Sequence, residues 1–262
     1  MTIVLIAVAL YLVSTALLVR ALAHGRPVAS WGWLVLGLSA TAIHGLVHVL
    51  AWHRTGLPDM HFFSALSLVG FGMALLTALV GRFGRMAALG VVVFPIAAAT
   101  LAGYLAYGPR TAAVLDWPLQ LHAWLALLAY ATLAIAALIA LMLWAQERAM
   151  RRREFHRWLR ALPPLVDLES LLFRTIGTGF VLLTATLLTG AVFVENLFAQ
   201  HLIHKTVLSV LSWLAFGALL LGRARYGWRG AIAVRWTLSA TALLVLAYFG
   251  SKFVLELVLG RV

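Results

Sequence analysis

Eight apolar runs divide the chain, and the segments between them carry the glycine, proline and arginine residues that end helices. A helix of about 20 apolar residues spans the hydrocarbon core of a bilayer, which is about 30 Å thick. The predicted spans cover residues 2–22, 30–52, 62–81, 87–107, 118–144, 171–194, 203–222 and 233–257. We therefore expect an all-α, polytopic membrane helix bundle with eight transmembrane helices.

Composition supports a membrane protein. The chain has 262 residues, of which 64% are hydrophobic and only 11% charged, and its mean hydropathy is +1.01. A soluble domain is closer to half apolar and a quarter charged. The formal charge of +12 comes mainly from arginines in the short links, so it indicates topology, and no nucleic-acid partner is expected. The first apolar run lacks a basic segment before it and is too long for a cleavable signal, which predicts a retained span.

The distribution of basic residues predicts the orientation. Fifteen of the twenty lysine and arginine residues lie in the links 20–26, 82–85, 146–174 and 223–235. Basic links face the cytoplasm. With eight spans, both termini are then expected on the outer side of a bacterial plasma (inner) membrane.

The chain is expected to form a single membrane domain, 1–262, with an N-terminal four-helix part, 1–117, and a C-terminal part, 118–262. The basic segment 146–169 is predicted to extend the fifth helix and to end in a proline turn. It is interpreted as a topology anchor at anionic lipid headgroups. A docking site for a cytoplasmic partner is the alternative.

Histidine follows the opposite distribution. On the predicted topology, two histidines lie on the cytoplasmic side and seven lie in the outer half or at the outer surface. The seven are His44, His48, His53, His61, His122, His201 and His204. Histidine is rare inside membranes and marks functional sites there. Spans two, five and seven could therefore present imidazoles at a similar depth.

The residue types near the histidines indicate which metal or cofactor they could bind. Imidazole binds haem iron, zinc, copper and non-haem iron, but zinc and non-haem iron sites usually add carboxylates, which are scarce here. Haem requires only one or two axial histidines in an apolar cleft. The alternative for each histidine is a hydrogen bond to a neighbouring helix. For His53 and His61, in a polar loop, an ordinary solvated role is predicted.

Haem propionates require cations at the outer edge, and Arg54, Arg110, Lys205 and Lys252 are the candidates. Lys252 and Glu256 are four residues apart, so a mutual ion pair is the competing interpretation for that lysine. The chain contains no cysteine, which excludes a disulfide or a thiolate metal site within it.

Three stretches of the C-terminal part carry a family resemblance. They are LHAWLALLAYATLAIAALIALMLW at 121–144, LPPLVDLESLLFRTIGTGFVLLTATLLTGAVF at 162–193, and the segment from HKTVLSVLSW to AYFGSKF at 204–253. Together they resemble the cytochrome c assembly family, the CcsA/CcmC group of haem-handling membrane proteins. His122 matches the histidine that opens the first of these stretches in the family.

The sequence departs from the family in two places. The tryptophan-rich external motif is missing, because the corresponding interval at 194–205 reads VENLFAQHLIHK. The external histidine of the final part is also missing, because 251–260 reads SKFVLELVLG. The short, eight-helix, HemX-like branch shares this reduced form, including the pair His204 and Lys205. Direct presentation of haem to an apocytochrome is therefore not expected.

The resemblance implies binding or movement of a b-type, non-covalent haem, in support of cytochrome c maturation or haem homeostasis. His122 and His204 are the leading predicted axial ligands and His44 is the next, while His48 and His201 are alternates or supporting groups. The expected partners are haem, membrane lipid and proteins of cytochrome c maturation or haem biosynthesis.

Two alternatives remain from the residues themselves. One is a non-haem transporter or ion-coupled permease, which would use the same membrane histidines as proton or metal relays. Pro95 and the sequence GTG at 177–179 could break helices in such a protein. The other is a membrane regulator that acts through the basic cytoplasmic segment. No nucleophile–base arrangement or phosphate-binding glycine loop is recognisable, so an enzyme is not predicted.

Overall fold

The computed structural model describes residues 1–24, 31–55, 59–81, 84–108, 116–153, 163–193 and 203–259. Within these ranges the chain is helical and forms no β-strand. Predicted positions His201 and Arg110, and residues 154–162 of the basic segment, lie outside the described ranges.

The first four helices belong to the N-terminal half of the sequence. They are α1 (Thr2–Ala23), α2 (Trp31–Thr55), α3 (Phe62–Gly81) and α4 (Gly90–Tyr107), and a short 3₁₀ helix, Gly84–Leu89, precedes the last of them. The next four are α5 (Trp117–Arg151), α6 (Leu165–Phe193), α7 (Ile203–Tyr226) and α8 (Ala231–Val245), which continues through π-helical turns at Leu246–Gly250 and Phe253–Val258. Among the described residues, eight helices are long and apolar enough to cross a membrane.

The prediction of eight apolar helices is confirmed, and the differences are at the ends. α5 runs seven residues past the predicted end of its span, as the predicted helical extension requires. α6 begins six residues early, directly after Pro163 and Pro164. Proline suits the start of a helix because its missing N–H has no intrahelical partner there. Asp167 in the first turn favours the same boundary through the helix dipole.

The helix breaks considered for a transporter are not present. α4 continues through Pro95, and α6 continues through residues 177–179. In the turn between α7 and α8, in contrast, the backbone reverses at Gly227 and Gly230, where φ is +65° and +57°. Glycine adopts such positive φ values without a steric penalty.

The chain divides into two compact units. The first comprises Met1–Val114 with Ala149–Pro164, and the second comprises Leu115–Arg148 with Leu165–Val262. In the first unit, α1 packs against α2 and α4, and α3 packs against α4. Small residues allow this close packing, because a Cβ on Gly70 of α3 would clash with the Thr100 hydroxyl of α4. In the second unit, Gly179 of α6 similarly accommodates the Leu133 side chain of α5.

Candidate functional site

His44 and His48 of the first unit share one hydroxyl. They lie on one face of α2, and Nε2 of each ring lies 2.9 Å from Oγ of Ser67 on α3. His44 is completely buried and His48 is half-buried. The rings also stack at a centroid distance of 5.6 Å. The two histidines of the predicted motif are therefore brought together, and a neighbouring helix holds them.

The other nitrogen of His44 is also hydrogen-bonded. Nδ1 lies 3.3 Å from Oη of Tyr11 on α1, which lies 3.3 Å from Oγ1 of Thr41. Thr41 donates to the carbonyl oxygen of Gly37 at 2.7 Å. A carbonyl can only accept, so Tyr11 donates to Thr41, and Nδ1–H of His44 donates to Tyr11.

The direction of these hydrogen bonds determines where the protons lie in the contacts of His44 and His48 with Ser67. In a neutral His44, Nε2 accepts from the Ser67 hydroxyl, and Nε2–H of His48 then donates to Ser67. In this series of hydrogen bonds, the hydroxyls of Tyr11, Thr41 and Ser67 each donate once and accept once. His44 thus uses both ring nitrogens within the unit, as the hydrogen-bonding alternative for a membrane histidine requires.

Tyr104 of α4 lies beside two histidines. Its ring is 4.7 Å from that of His48 and 6.1 Å from that of His61, measured between centroids. The prediction of a solvated His61 is wrong, because this residue is only 7% exposed. Its partner is Asp59, which is 8% exposed. The sequence signal for this pair was an aspartate two residues before a histidine, next to an aromatic helix start.

His122 lies near the start of α5 in the second unit. Its Nδ1 is 3.0 Å from the carbonyl oxygen of Thr186 and 3.2 Å from Oγ1 of Thr189, both on α6. The Thr189 hydroxyl itself points its hydrogen towards backbone carbonyls at 2.9 and 3.0 Å, so it accepts from the histidine. Nδ1 therefore carries the hydrogen, and in the neutral ring Nε2 carries the lone pair.

A glycine makes room for the His122 ring. A Cβ atom on Gly190 would lie 3.0 Å from Cε1 of His122 and 3.4 Å from Nδ1. This spacing is tighter than ordinary van der Waals contact. The orientation of the imidazole thus depends on a small residue one turn after its hydrogen-bond acceptor.

The predicted cations of the second unit lie at the ends of α7 and α8. His204 is exposed and Lys205 is half-buried in the first turn of α7. Nζ of Lys252 lies 2.7 Å from Oε1 of Glu256 and 5.5 Å from the centroid of the Tyr248 ring. Lys205 interacts electrostatically with both members of this ion pair. The charge of Lys252 is therefore balanced by that of Glu256, and Lys205 is a third ionisable group that interacts with this pair.

The remaining predicted cation is Arg54, which is exposed in the last turn of α2. Across the described residues there is no group of three or more histidine, aspartate or glutamate side chains able to hold a metal ion.

Comparison with known proteins gives one family. The model of the cytochrome c assembly protein family matches residues 35–259. The Inner membrane protein YpjD of Escherichia coli K12 is 32% identical over 267 residues, which cover 97% of this chain and 98% of YpjD. An uncharacterised 28.8 kDa protein of Azospirillum brasilense is 36% identical over 91% of this chain and 89% of its own length.

More distant relatives carry a functional name. The cytochrome c biogenesis protein CcsA of Guillardia theta is 28% identical over 132 residues, 44% of each chain. The CcsA protein of Chlamydomonas reinhardtii is 27% identical over 119 residues, 44% of this chain and 32% of CcsA. No solved structure matches the chain.

Proposed function

We propose that this chain, which belongs to the cytochrome c assembly protein family, binds b-type haem non-covalently in the inner membrane. The family match extends over seven of the eight apolar helices. The name of the YpjD relative supports an inner-membrane location, and the names of the CcsA relatives support a role in cytochrome c biogenesis. The proposal assigns haem handling or transport to the chain and no enzymatic reaction.

The observation that carries the proposal is the orientation of His122. An imidazole that ligates iron donates its other N–H to a carbonyl or carboxylate, which fixes the tautomer and the direction of the lone pair. His122 does this through Nδ1 and the Thr186 carbonyl. The residues present therefore fit one axial position, with Nε2 of His122 as the donor atom. Haem bound there would supply an iron centre for which one nitrogen ligand is already held in place.

Supporting roles follow from the other predicted residues. His204 is exposed and remains a candidate for a further axial position. Lys205 is proposed as a partner for a haem propionate, since it carries a positive charge close to the ion pair of Lys252 with Glu256. Lys252 can take the same role only by exchanging its carboxylate partner. His44 would have to give up the hydrogen bond between its Nε2 and Ser67 to ligate iron through that nitrogen, which ranks it below His122.

The alternatives receive less support. A transporter of this kind could have a helix break at Pro95 in α4 or at residues 177–179 in α6, and both helices are continuous. A regulator acting through the basic segment depends in part on residues 154–162, which lie outside the described ranges. Proteins of cytochrome c maturation or haem biosynthesis are the proposed partners.

The test is haem binding by the purified protein in detergent. We expect a Soret band on titration with haemin, and a weaker affinity by at least tenfold in His122→Ala, because an axial ligand is removed. His24→Ala is the matched control, since His24 is exposed and its ring is hydrogen-bonded to the Arg20 carbonyl of its own helix. Wild-type protein without a Soret band, or His122→Ala with unchanged affinity and spectrum, would contradict the proposal.

A further inference from the structure

The turn between α7 and α8 concentrates arginine at one end of the second unit. Residues 223–235 contain four arginines and no acidic residue. Three of them, Arg225, Arg229 and Arg235, are exposed, and none of the three forms an ion pair with a described residue. The side chain of Arg235 extends back along α8, where its Nε donates to the Ala231 carbonyl oxygen at 3.3 Å. All three positive charges therefore lie at the end of the helices where the turn is.

Hydrogen bonds to neighbouring helices hold the turn in one conformation. The backbone N–H of Gly230 donates to Oε1 of Glu169 on α6 at 2.8 Å. The backbone N–H of Trp228 donates to the Gly222 carbonyl oxygen at 3.2 Å, and the Trp228 ring lies where a Cβ on Gly222 would clash with it. Arg223, the fourth arginine, donates from Nη1 to the Trp228 carbonyl oxygen at 3.3 Å. The turn thus loses little conformational freedom when it binds a ligand.

Aromatic side chains accompany the arginines. The ring of Trp228 lies 5.5 Å from that of Trp236 and 6.4 Å from that of Tyr226, measured between centroids. Tyr226 is 74% exposed. Within the described part of the chain, its hydroxyl and the two indole N–H groups make no hydrogen bond. Tryptophan and tyrosine favour the membrane–water interface, because the ring is apolar and its polar group can remain hydrated. The cluster therefore indicates a position among lipid headgroups.

The length of α7 places the turn at the same depth. Residues 206–222 contain no charged side chain, and at 1.5 Å per residue they are about 26 Å long, close to the hydrocarbon thickness of about 30 Å. The arginines begin directly after this stretch. Two carboxylates, those of Glu147 and Glu169, approach Gly230, so the four arginines leave two positive charges in excess. Charge complementarity favours an anionic partner, and guanidinium groups bind phosphate well.

We propose that the α7–α8 turn binds the headgroup phosphate of an anionic phospholipid through Arg225, Arg229 and Arg235, with Tyr226 and Trp228 as hydrogen-bond donors. A phospholipid supplies a phosphate at the depth of the turn and acyl chains that pack against the apolar helices, whereas a water-soluble phosphate compound supplies only the first. The predicted orientation places this site in the cytoplasmic leaflet. Lipid binding here is additional to haem binding and does not depend on it.

Fluorescence quenching at the turn tests this site. Because the chain contains no cysteine, Ala224→Cys at an exposed position carries a single fluorophore on the full-length protein, which is reconstituted into phosphatidylcholine vesicles. The probes are phosphatidylglycerol and phosphatidylcholine with the same nitroxide-labelled acyl chain. We expect stronger quenching by phosphatidylglycerol, and a fall of about 25-fold in its relative association constant in Arg225→Gln/Arg229→Gln, because each arginine contributes about fivefold.

The matched control is Arg20→Gln/Arg54→Gln, which removes two exposed arginines at the ends of α1 and α2 and should retain the preference of the wild type. High ionic strength should weaken the preference for phosphatidylglycerol in the wild type, since the attraction is between charges. Equal quenching by the two lipids in the wild type, or an equal fall in both double variants, overturns the proposal. Displacement of the labelled lipid by glycerol phosphate assigns the site to a water-soluble phosphate compound and also overturns it.

Discussion

Nδ1 of His122 lies 3.0 Å from the carbonyl oxygen of Thr186, although 64 residues separate them along the chain. The hydrogen bond joins α5 to α6 and determines which nitrogen of the ring carries the lone pair, the nitrogen that would bind iron in the proposed function. The lone pair on Nε2 therefore exists because of helix packing, and changes to that packing should alter haem binding without removal of the imidazole.

Gly190→Ala tests this dependence on packing. The new Cβ would lie 3.0 Å from Cε1 of His122, so the ring must shift by a few tenths of an ångström, which disturbs the orientation that its hydrogen bond to α6 maintains. We expect haem affinity to fall by about tenfold, the lower end of what loss of an orienting contact costs. Gly177→Ala on the same helix is the control, because a Cβ there meets no atom within 4 Å. Equal haem affinities of the two variants would show that the orientation of His122 does not govern binding.

Ser67→Ala tests the polar chain of the first unit. The substitution removes the hydroxyl that His44 and His48 share, and leaves both Nε2 atoms without that partner. Unsatisfied buried groups cost about 1–3 kcal/mol each, and less where a neighbour can rearrange. We expect the free energy of unfolding in detergent to fall by about 1–3 kcal/mol, with the haem spectrum of the His122 position unchanged.

The control for Ser67→Ala lies on the same helix. Thr77→Val removes a buried hydroxyl that has no hydrogen-bond partner among the described residues, while the shape of the side chain is kept. We expect this change to be neutral or slightly stabilising, as removal of an unsatisfied polar atom should be. If Thr77→Val loses as much stability as Ser67→Ala, the destabilisation in Ser67→Ala does not result from the lost contacts with His44 and His48.

Substitutions of the two members of the Lys252–Glu256 ion pair are expected to change haem affinity in opposite directions. If Lys252 contacts a propionate, Lys252→Gln should weaken haem binding by about tenfold, because a hydrogen bond to a charged group is worth about 1.5 kcal/mol. Glu256→Gln should strengthen binding by up to about fivefold, since it releases the lysine from a pair worth about 1 kcal/mol. Haemin titrations at fixed ionic strength measure both. Changes of the same sign in the two variants would rule out this role for Lys252.

The predicted orientation is testable by labelling, because the chain contains no cysteine. Single cysteines are introduced as His53→Cys and Arg152→Cys, both at exposed positions at ends of long apolar helices. With basic links on the cytoplasmic side, a membrane-impermeant maleimide should label the first in intact cells and the second only after lysis. The reverse pattern would place both termini in the cytoplasm and move the candidate histidines to the inner face.

The helices and the individual histidines differ in how well they could be predicted from the sequence. Eight apolar helices were predicted, and α3 begins and ends at the predicted residues, because span length depends only on a run of apolar residues. His122 was identified from the family resemblance. His61 was missed, because its short loop looked solvated and nothing in the order of residues showed that Tyr104 would cover it.

The order of apolar and polar residues by itself determined that this chain forms eight helices suited to a bilayer, since transfer of a backbone segment into hydrocarbon requires a continuous apolar helix. The tertiary structure alone decided which histidine nitrogens are already bonded. Ser67 lies 23 residues from His44, and Thr189 lies 67 from His122, so these contacts form only when separate helices pack. A hydrogen bond tolerates a change of only a few tenths of an ångström in the distance between donor and acceptor. When the two lie on different helices, no local pattern of residues encodes that distance.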